Sequence, residues 1–276
     1  MAIRNLLVAY NGTDAADSAL ALGLLMARKY DAHLTGILAH GQTRASQSLG
    51  PWLGADVLSY MAEREHEAVR AIASRFHAQI AKAHRPDKTS FIERKGAPDE
   101  RLAACAACHD FLLLGSFDPG QAKKIFAAHP DRIALHSGRP LIVVPAGYRT
   151  DELPDHVLIA WDGRRSAARA LNDAMLILET KSRVTLLTVG RGAGAPEPEG
   201  EDPLVHLARH GITAERLRVD AKGRTIGRTI LDTCDSLEVG LLVMGAYEHS
   251  KFGEDLFGGV TNEVLRRGRI PALMAH

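Results

Sequence analysis

Short apolar runs alternate with stretches of helical periodicity along the whole chain. In the first half, apolar runs near 3–10, 33–39, 89–93, 110–115 and 141–144 predict strands, and apolar residues recur at helical spacing in 15–29, 57–84, 98–109 and 133–136. The second half repeats this order, with strands near 157–161, 184–189, 215–219, 240–245 and 270–274 and helices near 166–180, 202–210, 224–236 and 260–267. Such alternation predicts parallel strands with helices on both faces of the sheet.

The two halves are copies of one unit. An offset of 151 aligns 6–20 with 157–171 without a gap. The identical pairs are Leu7/Leu158, Ala9/Ala160, Gly12/Gly163, Ala16/Ala167, Ala19/Ala170 and Leu20/Leu171. The same offset sets Leu38 against Val189, and an offset of 130 sets 111–117 against 241–247. We therefore predict two tandem doubly wound α/β domains, 1–146 and 155–276, joined by a short linker.

Composition and charge exclude several classes of protein. The 276 residues are 46% apolar, and 34 basic against 33 acidic residues give a net charge of +1, which excludes a strongly basic nucleic-acid-binding surface. The first 150 residues carry +4 (18 − 14) and the rest −3 (16 − 19). No apolar run approaches the ~18 residues of a membrane helix, and no signal-peptide core is present. We expect a cytoplasmic protein with neither nucleic acid nor membrane as partner.

Candidate chemistry lies in the loops after the first and fourth strands of each half, since ligands of open α/β sheets bind beyond the carboxyl ends of strands. Glycines let a backbone approach a ligand closely, and the N–H groups that open a helix attract anions. The loop after the fourth strand is not a P-loop, because no Gly-Lys-Ser/Thr follows, and the first turn lacks a Rossmann fingerprint. The candidate residues of the second half are Asp162, Gly163, Gly245, Gly258, Gly259, Val260 and Thr261.

Together with the tandem repeat, these residues resemble the universal stress protein family, once per half and over nearly the whole chain. The resemblance implies a five-stranded parallel-sheet domain of the adenine nucleotide alpha hydrolase-like fold in each half. It also implies that the fifth strands, which follow Pro140 and Pro271, pair across the halves, so that one chain looks like a built-in dimer. Many members bind ATP through Gly-x2-Gly-x9-Gly-Ser/Thr, and others lack the motif and do not bind it.

The second half keeps part of this motif. Gly245 and Gly258 match its first and third glycines, and Val260-Thr261 keep the family's continuation. The resemblance also makes Asp162 the acid near the ribose or adenine, and Val189 the residue whose backbone reads adenine. It therefore implies ATP or another adenine nucleotide as ligand, with Mg²⁺ or Mn²⁺ as a companion ion.

Two motif positions of the second half differ from the family. Glu248 stands in place of the second glycine, and Gly259 in place of the Ser/Thr. The Glu248 carboxylate, with Glu254 and Asp255 nearby, repels phosphate unless a divalent cation reverses the sign. The sequence leaves both outcomes open, exclusion of nucleotide and recruitment of a metal.

The first half departs further from the motif. Gly115 matches the first glycine, but Asp118, Ala128 and His129 take the other three places, and Asn11 replaces the acid. We predict that this half does not bind ATP and supplies structure or a surface for partners.

The functional prediction is a stress-response protein with an adenine-nucleotide site in its second domain. The alternative is a nucleotide-independent adaptor or protein-interaction module of the same fold. Other proteins are expected as partners, and a homodimer of whole chains is compatible with the sequence. No positioned general base or arginine finger can be identified, so we expect at most slow ATP hydrolysis.

Three further features carry weaker hypotheses. The segment Cys105-x-x-Cys108-His109 matches a haem-attachment pattern. Two observations argue against haem: both cysteines are predicted to lie within the helix before the fourth strand, and the sequence shows no export signal. Small buried core cysteines are expected there, with a dithiol or metal site as alternatives. His206 and His210, at i,i+4, are expected on a solvated helix face rather than on a metal. Trp52, in the 41–58 loop, either packs locally, covers a cleft or docks against the other half.

Overall fold

A computed structural model describes residues 2–41, 54–81, 86–117, 124–190, 201–246 and 259–276. The elements of the first half are β1 (Asn5–Ala9), α1 (Asp14–Tyr30), β2 (His33–His40), α2 (Ala55–Ile80), β3 (Thr89–Lys95), α3 (Pro98–Ala106), β4 (Phe111–Gly115), α4 (Pro130–Ser137) and β5 (Leu141–Val144). Short 3₁₀ turns at Pro86–Lys88 and Lys124–Phe126 precede β3 and α4.

The second half repeats the order of strands and helices. Its elements are β6 (His156–Ala160), α5 (Arg165–Leu178), β7 (Arg183–Gly190), α6 (Pro203–Arg209), β8 (Ala214–Asp220), α7 (Ile226–Ser236), β9 (Leu241–Gly245), α8 (Gly259–Arg267) and β10 (Ala272–Ala275). The predicted alternation is confirmed in both halves. The predicted 57–84 helix begins earlier, at Ala55, and ends at Ile80, while Trp52 and 82–85 lie outside the described residues.

One ten-stranded sheet runs through both halves in the order β3-β2-β1-β4-β5-β10-β9-β6-β7-β8. Pairing is parallel within each set of five strands. At the centre β5 and β10 pair antiparallel, with Leu273 opposite Ile142. The predicted doubly wound, five-stranded parallel domains are confirmed, and so is the pairing of the fifth strands across the halves.

Helices cover both faces of this sheet, and each face has its own core. The face under α1, α2, α5 and α6 buries side chains such as Leu20, Phe76 and Leu171. The opposite face, under α3, α4, α7 and α8, buries Leu102 and Ile230 among others. Each core contains residues of both halves, so the two domains share continuous apolar layers across the central strands. Within the described ranges, no helix is long and apolar enough to cross a bilayer.

The register of the sheet corrects one predicted match between the halves. Ala9 of β1 lies opposite Ile37, whereas Ala160 of β6 lies opposite Leu187. The first strands are therefore offset by 151 (160 − 9), but the second strands by 150 (187 − 37). Val189 corresponds to Ala39 (189 − 150) and not to Leu38. The reason is that the segment from the start of α5 to the start of β7 is one residue shorter (183 − 165 = 18) than the segment from the start of α1 to the start of β2 (33 − 14 = 19). A one-residue shift moves a strand side chain to the other face.

Candidate functional site

The turn after β6 holds Asp162 and Gly163 in a fixed geometry. The Asp162 carboxylate accepts a hydrogen bond from the Arg164 N–H at 3.0 Å, and Gly163 has φ +77°, which favours glycine. The first half builds the same turn, since Asn11 accepts from the Thr13 N–H at 3.3 Å. The Asp162 side chain is 57% exposed, with the Arg164 guanidinium 4.0 Å away. It can therefore accept a hydrogen bond from a ligand.

Gly245 ends β9 beneath the start of α5. A Cβ there would lie 2.5 Å from the Ser166 carbonyl carbon and 2.6 Å from the Ala167 nitrogen. Gly115 of β4 meets the start of α1 in the same way, 2.5 Å from the Ala15 carbonyl carbon. The first motif glycine is thus required in both halves by the close approach of a helix to a strand. Its presence does not by itself indicate a ligand.

The remaining candidate residues surround the same edge of the sheet. β6 pairs with β7 and with β9, so Asp162, Val189 and Gly245 follow or end neighbouring strands at their carboxyl ends. α8 begins at Gly259, which is exposed, while Val260 is half-buried and Thr261 is buried. Gly258, together with Glu248, Glu254 and Asp255, lies outside the described residues.

A cleft of about 530 Å³, open on one side, lies at the matching edge of the first domain. Its lining is apolar apart from a few polar groups that include Asn11, Thr13 and Ser116. Phe126 also lines it, is 4% exposed and packs against Leu38 and Val69. Its carbonyl accepts from the Asn11 side-chain amide at 3.3 Å. The segment after β4 therefore narrows this cleft with an aromatic ring.

A carboxylate of the first domain binds the N-terminus of its own α4. The His129 N–H donates to Asp99 Oδ1 at 2.8 Å, and the His129 ring nitrogen Nδ1 lies 2.9 Å from Asp99 Oδ2. Arg132 adds a second cation, 3.5 Å from Oδ2. A helix N-terminus attracts anions, and here an internal side chain fills that position. Sequence reasoning missed Asp99, because the contact joins residues on two different helices.

The second domain has glycine where the first has Asp99. The buried positions of α3 and α7 align the two helices at a constant offset of 128 (230 − 102). The aligned pairs are Leu102/Ile230, Ala103/Leu231 and Ala106/Cys234. The same offset sets Gly227 against Asp99 (227 − 99). The nearby acid is Glu263 of α8, whose carboxylate accepts from the Thr225 hydroxyl at 2.5 Å. This acid contacts the start of α7, and Gly227 itself has no side chain that could accept from the start of α8 as Asp99 does from α4.

We predict that Asp99→Ala lowers the free energy of unfolding by about 1–3 kcal/mol, because charged hydrogen bonds to a half-buried helix start are lost. Urea denaturation measures the change. Glu201→Ala is the control: the Glu201–Arg209 pair is 63% exposed on both sides, and its loss should cost at most about 0.5 kcal/mol. Equal effects of the two substitutions would contradict the assigned role of Asp99.

The cysteines correct a second expectation. α3 ends at Ala106, so Cys108 lies in the following turn and is exposed, while Cys105 is half-buried. The prediction of buried helical cysteines is wrong for Cys108, because the helix ends before it.

The neighbouring His109 is partly buried. Its ring nitrogen Nδ1 lies 2.8 Å from the Cys105 carbonyl oxygen, and burial lowers the His109 pKa. Cys234 is the buried cysteine, and burial raises its pKa to about 12.

The described residues contain no group of three or more His, Cys, Asp and Glu side chains arranged to hold a metal. The His206 and His210 rings pack edge to face with centroids 4.9 Å apart. The Nε2 atom of His206 is buried. The sequence predicted a solvated helix face for both histidines, and for the His206 ring this prediction is wrong.

Comparison with known proteins decides the family. The model of the universal stress protein family matches residues 2–145 and again 154–276. The chain belongs to the universal stress protein family. No curated protein sequence matches this universal stress protein at a significant level.

Solved structures share the fold of this universal stress protein over its whole length. A universal stress protein from Archaeoglobus fulgidus DSM 4304 is 16% identical, with a TM-score of 0.69 over 98% of this chain and 95% of that one. A protein of unknown function from Pseudomonas aeruginosa PAO1 is 16% identical, with a TM-score of 0.53 over 99% of this chain and 92% of that one. A universal stress protein solved in complex with cAMP matches only part of this chain: it is 21% identical over 45% of this chain and 98% of its own, with a TM-score of 0.34.

Proposed function

We propose that this universal stress protein acts in a cytoplasmic stress response and binds an adenine nucleotide in its second domain (155–276). The observation that carries the proposal is the difference between the two helix starts. In the first domain Asp99 accepts the His129 N–H at the start of α4, whereas Gly227 stands at the matching position below α8. The start of α8 is therefore suited to an external anion such as a phosphate.

Each candidate residue has a proposed role at this site. The Asp162 carboxylate accepts from the ribose hydroxyls, and the Val189 backbone contacts the adenine edge. Gly245 brings the chain to the site, and the phosphates lie against the start of α8. That segment comprises Gly258, Gly259, Val260 and Thr261. A Mg²⁺ or Mn²⁺ ion bound with the nucleotide would offset the negative charge of the Glu248 side chain.

The first domain (1–146) is proposed to serve as structure and as a surface for partner proteins. Two features support this division. Asp99 already neutralises the start of α4, and the Phe126 ring narrows the cleft beyond β1 and β4. A nucleotide in the first domain would have to displace both of these groups.

The test is direct analysis of the purified protein. After denaturation, mass spectrometry should find ATP, ADP or AMP at close to one equivalent per chain. Protein stripped of nucleotide should bind ATP in a calorimeter, more tightly with Mg²⁺ or Mn²⁺ than with EDTA. Tighter binding with EDTA would show that Glu248 recruits no metal. Absence of released nucleotide together with absence of heat would overturn the proposal.

The second candidate function is a nucleotide-independent adaptor of the same fold. It is favoured by the acidic residues Glu248, Glu254 and Asp255, which repel phosphate in the absence of a cation. Under this alternative neither release nor calorimetry detects nucleotide. In both cases we propose at most slow ATP hydrolysis.

A further inference from the structure

A second cleft lies at the centre of the molecule, where the two domains meet. It is partly open to solvent and lies between α1, the linker and the amino ends of β9 and β10. Its walls are mostly apolar side chains of both domains: Leu22, Met26, Ile142, Leu153, Pro154, Ile177, Leu241 and Pro271. The proposed nucleotide site is at the carboxyl ends of the strands, so the two sites lie at opposite edges of the sheet.

Two lysines stand at the rim of this central cleft. The Lys181 ammonium lines it and donates to the Pro154 carbonyl at 2.6 Å. Lys29 points to the Thr180 carbonyl at 3.5 Å, and the Tyr30 hydroxyl lies 3.1 Å from that of Thr180. The C-terminal ends of α1 and α5 therefore meet here. Helix dipoles favour cations at the C-terminal ends of helices, and this explains the two lysines. It does not explain why an apolar cleft lies beside them.

The charge balance at the rim is positive. Burial, followed by the charge of Lys29, lowers the Lys181 pKa to about 8, and the charge of Asp155 partly opposes this shift. The Asp155 carboxylate already accepts from the backbone N–H of Ser182 at 3.0 Å and from its hydroxyl. A Lys ammonium has three donors, and the described residues supply one hydrogen-bond acceptor to Lys181. An added anion at this rim would be stabilised by both lysines.

We propose that the central cleft binds a small amphipathic carboxylate. The apolar tail lies against Leu22, Met26 and Ile142, and the carboxylate lies at the rim beside Lys181 and Lys29. The cleft is small and partly open to solvent, so the tail is short. Lys181, which lines the mostly apolar cleft, and the neighbouring charge of Lys29 fix the orientation of the ligand.

Octanoate is the probe for this site, and calorimetry of the full chain measures its binding. Acetate, which keeps the charge but has no tail, and octanol, which keeps the tail but has no charge, should each bind at least tenfold more weakly. Octanol that binds as tightly as octanoate would overturn the role of the lysines. Absence of heat with octanoate at millimolar concentration would overturn the site itself.

Two variants locate the bound octanoate. Lys181→Met removes the charge and keeps an unbranched apolar side chain, and Leu153→Trp fills the cleft from the linker. Each should weaken octanoate at least tenfold, whereas Lys95→Met, at an exposed position in β3, should leave it unchanged. Thermal unfolding verifies that each variant is folded. Unchanged octanoate affinity in a folded Lys181→Met or Leu153→Trp protein would place the ligand elsewhere and overturn the proposal.

Proton uptake gives a readout that a purely apolar site would not produce. At pH 8.5 part of the Lys181 population is neutral, since its pKa is about 8. A bound carboxylate favours the ammonium form, so octanoate binding should take up a fraction of a proton. Calorimetry in two buffers of different ionisation enthalpy measures this fraction, and its disappearance in Lys181→Met identifies the group. Binding without proton uptake would contradict contact between the carboxylate and Lys181.

Discussion

Gly258→Val should abolish nucleotide binding by the second domain, with an affinity loss of at least about a hundredfold. A β-branched side chain at the start of α8 keeps the phosphates away from the backbone N–H groups. Hydrogen bonds to a charged group are worth about 1.5–3 kcal/mol each, and the loss of two of them exceeds the ~2.8 kcal/mol that corresponds to a hundredfold change. Calorimetric titration with ATP and Mg²⁺ measures the effect.

The repeat supplies a matched control for this substitution. Ala128 occupies the corresponding place in the first domain, 130 residues earlier (258 − 130), so Ala128→Val makes a similar change beside α4. ATP affinity should stay within about twofold of the original in this variant. If Ala128→Val and not Gly258→Val weakened binding, the nucleotide would lie in the first domain, and the assignment of roles to the two halves would be reversed.

Gly115→Ala should destabilise the protein by about 3 kcal/mol, although it adds a single methyl group. The new Cβ would lie 2.5 Å from the Ala15 carbonyl carbon and 2.8 Å from the Ala16 nitrogen. Backbone atoms cannot rotate away as a side chain can, so α1 must shift from β4, and overpacking of this kind costs about 1–3 kcal/mol or more. Urea denaturation followed by circular dichroism measures the loss.

Two further substitutions show whether this cost comes from the close contact. Gly245→Ala should cost about as much, because Ser166 and Ala167 approach it in the same way. Gly54→Ala should change stability by less than about 0.5 kcal/mol, since the described residues place no atom within 4 Å of its added Cβ. A stable Gly115→Ala protein would mean that α1 moves freely relative to β4, contrary to the packing described.

The fold could be predicted from the sequence because its signals are local and occur twice. Runs such as Leu112–Leu114 predict strands wherever they occur, and the repeated turn at Gly12 and Gly163 sets the frame of each half. The turn residue Thr13, for example, is the N-cap of α1, with its hydroxyl accepting from the Ala16 N–H at 3.2 Å.

Long-range contacts could not be predicted in this way. The pairing of Asp99 with His129 depends on how α3 packs beside α4, and no local pattern marks it. The correspondence of Val189 was displaced because α5 and its connection to β7 are together one residue shorter than α1 and its connection to β2. Sequence identity within β7 was too low to reveal this. The central cleft depends on side chains from both domains, and therefore on a domain interface that neither half contains alone.

The antiparallel pairing of β5 with β10 has a consequence for how the protein can change over time. In a homodimer of identical chains, every substitution alters both copies of a site at once. Here Ile142 and Leu273 face each other from one polypeptide, so a substitution alters one side and leaves the other as it was. Asp99 in one half and Gly227 in the other show the result. The covalent link also makes the association of the halves independent of protein concentration, so the two faces of the pair can specialise without coming apart on dilution.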